Sequence, residues 1–188
     1  MKGSHNTLTY GNPVRWWGWL CSAVWRCQRK GIAEQVAAGC RVFDIRFARL
    51  RRTDGDDVEN MWVSAHGIVD LRVNPVAAIE EIAQRYPSAY IRVTLEKERG
   101  EDDRDEFRRT CRWLEERFSD VVFFNGRLKP GWEKLYTFKR EEWVEESLVQ
   151  HCGSMSNQWW GKVFPWLWAK LHPLDDAEHC LILIMDFV

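Results

Sequence analysis

The chain carries almost no net charge: 27 basic residues face 28 acidic ones, a formal charge of −1. The basic excess that marks most nucleic-acid-binding domains is missing, so no nucleic-acid partner is expected. One basic cluster, Arg49, Arg51 and Arg52, runs straight into Asp54, Asp56 and Asp57, which predicts a solvated charged loop over residues 49–60. No apolar run reaches the length of a membrane span. No two of the six cysteines (Cys21, Cys27, Cys40, Cys111, Cys152, Cys180) have C-x-x-C spacing, which argues against a tetrahedral metal site. Cys40 and Cys180 lie in apolar runs and are expected in the core. Repeats and low-complexity tracts are absent. The first residues are polar, so no leader is expected, and cytoplasmic and secreted settings both stay open.

What is present is a globular composition. The 188 residues are 45% hydrophobic and 29% charged, which suits one domain spanning 1–188 with a sizeable core. Tryptophan is abundant at 12 residues, clustered at Trp16-Trp17-Gly18-Trp19 and Trp159-Trp160, with Trp166 and Trp168 beyond. Such residues serve either core packing or a lipid–water interface.

Periodicity predicts an alternation of strands and helices. Helices are expected over 28–38, closed by Gly39, over 75–86 with Pro75 in its first turn, over 102–118, and over 141–151. Strands are expected at 42–47, 61–65, 90–95, 121–124, 135–138 and 180–185. Residues 11–27 and 153–178 give no clear pattern. Polar residues fall at strand ends, namely His5, Arg46, His66, Glu96, Arg140 and Asp186. An α/β fold follows, a distorted, compact TIM-type (β/α) barrel that need not be complete, because the chain is short for a full one.

The strand Val42-Phe43-Asp44-Ile45-Arg46-Phe47 holds two charges at spacing two, on one face. Charges on an apolar strand are costly to bury without a partner or a use. The next strand ends at Ala65-His66-Gly67. Taken alone, these residues fit either a strand-end ion pair with a surface histidine or an acid, an arginine and a histidine meeting in a site.

Gly3-Ser4-His5-Asn6-Thr7, Glu34-Gln35, Gly39-Cys40-Arg41-Val42-Phe43-Asp44-Ile45-Arg46 and Ala65-His66-Gly67 together resemble, in order and separation, the X-domain region of phosphatidylinositol-specific phospholipases C. The resemblance covers residues 3–96, and Leu183-Ile184-Met185-Asp186 is similar to the last strand of that family; 141–179 match little. It implies a distorted TIM-barrel phosphodiesterase acting on phosphatidylinositol-like lipids, with a peripheral membrane surface as a partner. His5 would be the general base, oriented by Asp186, and His66 the general acid. Arg46 would hold the phosphate, and Asp44 would be a further active-site position. Asn6, Glu96 and Arg140 would contact substrate. Calcium-dependent members have a carboxylate where Arg46 stands. Asn6, Asp44 and Glu96 preserve most of a calcium set, but a guanidinium beside them repels a divalent cation and can replace its charge. The implied mechanism is therefore metal-free. Calcium dependence through Asn6, Asp44 and Glu96 is the first alternative, and a phosphoinositide- or membrane-binding protein without turnover is the second.

Overall fold

The structure, a computed structural model, describes residues 1–54, 57–125, 134–140, 148–153, 156–172, 182–186 and 188. Its elements in chain order are β1 (Lys2–Ser4), a 3-10 turn (Thr7–Tyr10), α1 (Trp17–Leu20), α2 (Ser22–Trp25), α3 (Ile32–Ala37), β2 (Val42–Asp54), β3 (Asp57–His66), β4 (Val69–Leu71), α4 (Pro75–Arg85), β5 (Tyr90–Lys97), α5 (Asp103–Arg117), β6 (Val122–Phe124), β7 (Leu148–His151), α6 (Trp159–Val163), α7 (Pro165–Leu171) and β8 (Ile182–Met185).

Six strands run parallel in the order β6-β5-β2-β1-β8-β7. This sheet is rolled, and one side chain proves it. Arg92 on β5 donates to Gln150 Oε1 on β7 at 3.0 and 3.1 Å. Those strands are four places apart, about 19 Å if the sheet were flat at ~4.8 Å per strand, far beyond the reach of an arginine. The roll gives an α/β barrel of TIM type, open between β6 and β7 among the described residues.

Alternation assigns the two faces. Phe43, Ile45, Phe47, Ile91, Val93, Leu95 and Phe123 point outward and pack with α3, α4 and α5 into the main core. The intervening positions point into the barrel. Val42, Val122, Phe124 and Ile184 form a smaller apolar cluster at its floor. A Cβ on Gly3 would lie 2.8 Å from Val42 Cβ and 3.1 Å from Ile184 Cγ1. Gly3→Ala is therefore expected to overpack this floor and cost about 1–3 kcal/mol, read as a lower midpoint in urea unfolding.

Several expectations are corrected. Residues 49–54 and 57–60 are no loop, and 55–56 lie outside the described residues. β2 leaves the barrel at a bulge between Phe47 and Ala48 and pairs antiparallel with β3, Ala48 opposite Val63 and Arg49 opposite Trp62. Arg49 spends its charge over the Trp62 ring, 5.1 Å away. The helix over 28–38 begins only at Ile32, because Gln28 is drawn into the barrel rim. Its amide donates to the carbonyls of His5 (3.0 Å) and Met185 (2.9 Å), tying β1 to β8. Gly31 instead starts the helix, its N–H donating to Glu34, and Gly39 closes it at φ 92 as expected. Residues 135–138 form no strand; Phe138 is buried by stacking on Phe123 with centroids 5.7 Å apart. Of the helix expected over 141–151, residues 148–151 are strand β7, paired with β8, and 141–147 lie outside the described residues. Of the last strand, 182–185 are described and form β8.

Candidate active site

Polar layers stand on the apolar floor. In the lowest, the register sets Asp44 of β2 beside Arg92 of β5. Both are buried, and the guanidinium grips the carboxylate as a fork, Nε to Oδ1 at 2.9 Å and Nη2 to Oδ2 at 2.8 Å. Burial alone would raise the pKa of Asp44; Arg92 and then Arg46 outweigh it and hold the carboxyl well below the usual carboxylate range.

One step up, Arg46 lies beside Thr94. Its Nη1 donates to Glu96 at 2.9 Å and its Nη2 donates to Asp44 at 3.3 Å; Nη2 also lies 3.0 Å from His5 Nε2, to which it donates when His5 is neutral. Glu96 also accepts from the Gly67 N–H at 3.0 Å.

His5, just past the end of β1, is buried, and its Nδ1 is 2.6 Å from Asp186 Oδ1, just past β8. Asp186 is fixed in turn by the Gly153 N–H at 3.0 Å. An N–H donated to that carboxylate leaves Nε2 turned to the site. Burial pulls the His5 pKa down, but the Asp186 carboxylate, helped by the Cys152 and Cys27 sulfurs, more than reverses this and the pKa stands well above 6.5. His66 ends β3, and its ring lies 6.2 Å from that of His5, edge-on. Its Nδ1 is held by the Trp25 carbonyl at the end of α2, which again leaves Nε2 for chemistry. Burial, then the Arg46 and His5 charges, push the His66 pKa down to about 4.

Asn6 takes the left-handed conformation at φ 46, rare for a residue other than glycine and a form of strain found at functional sites. That turn aims its N–H at Asp44 Oδ2 (3.0 Å) and its side-chain amide at His5 Nε2 (3.2 Å). Around this cluster, Asn6 Oδ1, Arg46 Nε and Thr94 Oγ1 are buried polar atoms without a protein hydrogen-bond partner. Buried polar groups in folded proteins are nearly always satisfied, so three orphans in one place mark a seat for a polar ligand.

The structure thus gathers His5, Asn6, Asp44, Arg46, His66, Glu96 and Asp186. It does not bring Arg140 to them: that side chain is exposed and donates to the Ser119 carbonyl, just beyond the C-terminus of α5, at the end of the barrel where the parallel strands begin. Sequence reasoning missed Arg92, Gln150, Cys27 and Cys152. Arg92 carries the same signal as Asp44, a charge at an inward position of an apolar strand. Gln150 and Cys152 had none, because their strand follows residues with no barrel-like pattern. Cys27 sits 3.6 Å from Asn6 Nδ2, and burial pushes its thiol up to about 11, keeping it a neutral wall.

No protein-family model matches this chain, and no curated protein matches it. Among solved structures, it is similar to a phosphatidylinositol-specific phospholipase C from Listeria monocytogenes, with a TM-score of 0.56 and 14% identity over 100% of this chain and 87% of that one. A phosphatidylinositol-specific phospholipase C from S. aureus, in a structure concerned with its membrane binding, aligns with 66% of this chain and 46% of its own at 22% identity and a TM-score of 0.39. The first of these likenesses establishes a shared fold.

Proposed function

We propose that this protein cleaves phosphodiester bonds in phosphatidylinositol-like lipids by metal-free acid–base catalysis. The observation that carries the reading is the pair of histidines 6.2 Å apart, each fixed through Nδ1, with the Arg46 fork beside them. His5 takes the proton of the inositol 2-hydroxyl, and Asp186 stabilises the imidazolium that forms. The hydroxyl oxygen bonds to phosphorus, the bond from phosphorus to the glycerol oxygen breaks, and His66 protonates the departing oxygen. Arg46 holds the phosphate oxygens and offsets their growing charge. The products are a cyclic inositol phosphodiester and a diacylglycerol.

Calcium fits the donor set poorly. Asp44 is already paired with two guanidinium groups, and Glu96 with Arg46 and a backbone N–H. Asn6, Asp44 and Glu96 surround a cation that the chain itself supplies, and a calcium ion there would sit against Arg46. Phosphorus NMR with phosphatidylinositol micelles is the test. A cyclic inositol phosphate signal that persists with a chelator is expected; its loss with chelator would move the site to calcium, and no signal in either sample would overturn the reading.

The lipid half of the proposal has its own support. Trp16, Leu20, Ile68 and Trp159 are 74%, 79%, 76% and 74% exposed. Trp16 caps α1, Leu20 ends it, Trp159 begins α6 and Ile68 lies in the β3–β4 turn; α2 packs against α6 and α7 while its Trp25 carbonyl holds His66. Isolated exposed apolar side chains are ordinary, but several large ones flanking one site suit an interface with lipid. Burying one such side chain is worth up to about 1.5–3 kcal/mol. The double substitution Trp16→Ala/Trp159→Ala is therefore expected to weaken binding to phosphatidylinositol-containing vesicles about tenfold or more in a sedimentation assay.

A further inference from the structure

The strand order β1-β8-β7 places three consecutive parallel strand ends side by side. Each ends in a residue able to bind a metal: His5 after β1, Asp186 after β8 and Cys152 after β7. All three are buried, and a ligand atom from each lies within 4.8 Å of the other two. The catalytic reading uses His5 and Asp186 and leaves Cys152 without a role.

We propose that His5, Cys152 and Asp186 form a binding site for a zinc-class cation, and that its occupation shuts off the chemistry of the barrel. The inhibitory half rests on the phosphodiesterase reading; the binding half does not. One thiolate, one imidazole and one carboxylate form a mixed, borderline-soft set that suits zinc and fits the hard ions calcium and magnesium badly. Three protein ligands leave a fourth tetrahedral position for water or a substrate oxygen. With metal–ligand bonds of ~2.0–2.3 Å, tetrahedral ligand atoms stand roughly 3.3–3.6 Å apart. The site therefore needs a shift of about 1 Å at side chains on three strand ends, with no rearrangement of the sheet.

The surroundings are prepared for such a set. Gly153 N–H holds the second oxygen of Asp186 at 3.0 Å, and the Gln150 amide donates to Cys152 Sγ at 3.1 Å. Both would support the ligands in the metal-bound form. Coordination replaces the proton held between His5 Nδ1 and Asp186 Oδ1 and the thiol proton of Cys152, so up to two protons pass to the buffer for each ion bound. A His5 bound to zinc can no longer be the base that Asp186 orients, which is why the site inhibits.

The binding half is tested on the whole chain with cobalt(II) and zinc(II), without reference to activity. One cobalt per chain is expected, with a thiolate-to-cobalt charge-transfer band that zinc abolishes by displacement. Cys152→Ser should lose the band, and Cys27→Ser should keep it. X-ray absorption of the zinc-loaded wild-type chain should show one sulfur at about 2.3 Å among nitrogen and oxygen ligands at about 2.0–2.2 Å. This last measurement stands even if a variant fails to fold. No charge-transfer band, a band undiminished in Cys152→Ser, or a zinc shell without sulfur or with several sulfurs would each overturn the site. Zinc should also slow diester cleavage in a manner reversed by chelator. A zinc-loaded chain that cleaves at the full rate would overturn the inhibitory half, and a chain that cleaves nothing with or without zinc would overturn the phosphodiesterase reading and, with it, the inhibitory half.

Discussion

Replacing either His5 or His66 by alanine is expected to lower kcat for phosphatidylinositol cleavage by roughly 10²–10⁴, the usual worth of a positioned acid or base. The double variant should be little worse than the poorer single one, because the two rings act as a unit. The pH profile carries more information. In the resting site the environments are opposed: His5 is pushed well above 6.5 and His66 down to about 4. Between those limits the pair holds one proton, and the reactive arrangement, His5 neutral and His66 charged, is a constant fraction of that form. With a chelator present, kcat/KM should therefore rise through about pH 4 as the doubly protonated pair loses a proton, stay level, and fall once pH exceeds the raised pKa of His5. An anionic diester on Arg46 weakens the main charge that holds His66 down, and so favours the reactive arrangement once substrate is bound. Asp186→Asn removes the carboxylate that raises His5, so the alkaline limb should move to lower pH. An unmoved limb would show that Asp186 does not set the base.

The second large effect concerns stability. Arg92 and Asp44 form a two-point pair inside the barrel, with side chains 1% and 0% exposed. Arg92→Met should destabilise the fold by about 3–5 kcal/mol, since it leaves a buried carboxylate with the 3.3 Å contact to Arg46, the Asn6 N–H and a His5 Nε2 3.9 Å away. At roughly 2–4 °C per kcal/mol for a chain of this size, the melting temperature should drop by about 6–20 °C. Arg92→Lys should lie between, because an ammonium restores the charge but not the fork. The sign of the pH dependence follows from Asp44. Its folded pKa is depressed, so its contribution is fully present above the unfolded value of about 4 and is lost as pH falls below it. Acid should destabilise the wild type, and the slope should be shallower in Arg92→Met. Melting curves across pH 3–7 check both statements.

Inward-pointing charges on apolar strands made the heart of the site legible. Asp44 and Arg46 are two apart on β2, which is enough to predict a shared face, and that face is the barrel interior. His5, His66 and Asp186 were legible through the order of short motifs, because strand ends in an α/β barrel converge whatever lies between them. Arg140 was misplaced for a physical reason: Leu135, Tyr136 and Phe138 are apolar and look like a strand, yet they cover the core from outside as irregular chain, so the residue that follows never reaches the rim. Residues 49–54 and 57–60 were misread because charge density says nothing about pairing, and β3 supplies hydrogen-bond partners that charged residues can use as well as apolar ones.

The sequence by itself determined the class of fold and singled out the candidate acid–base groups, because alternation along a strand and residue chemistry are local properties. It determined nothing of the protonation states. Two histidines with the same intrinsic pKa are driven apart because one meets Asp186, 181 positions away, and the other is buried under Arg46. Nor could it bring Cys152 to His5 and Asp186, or Gln150 to Arg92. Those meetings depend on the order of strands in the sheet and on its roll, which are set by the packing of the whole chain.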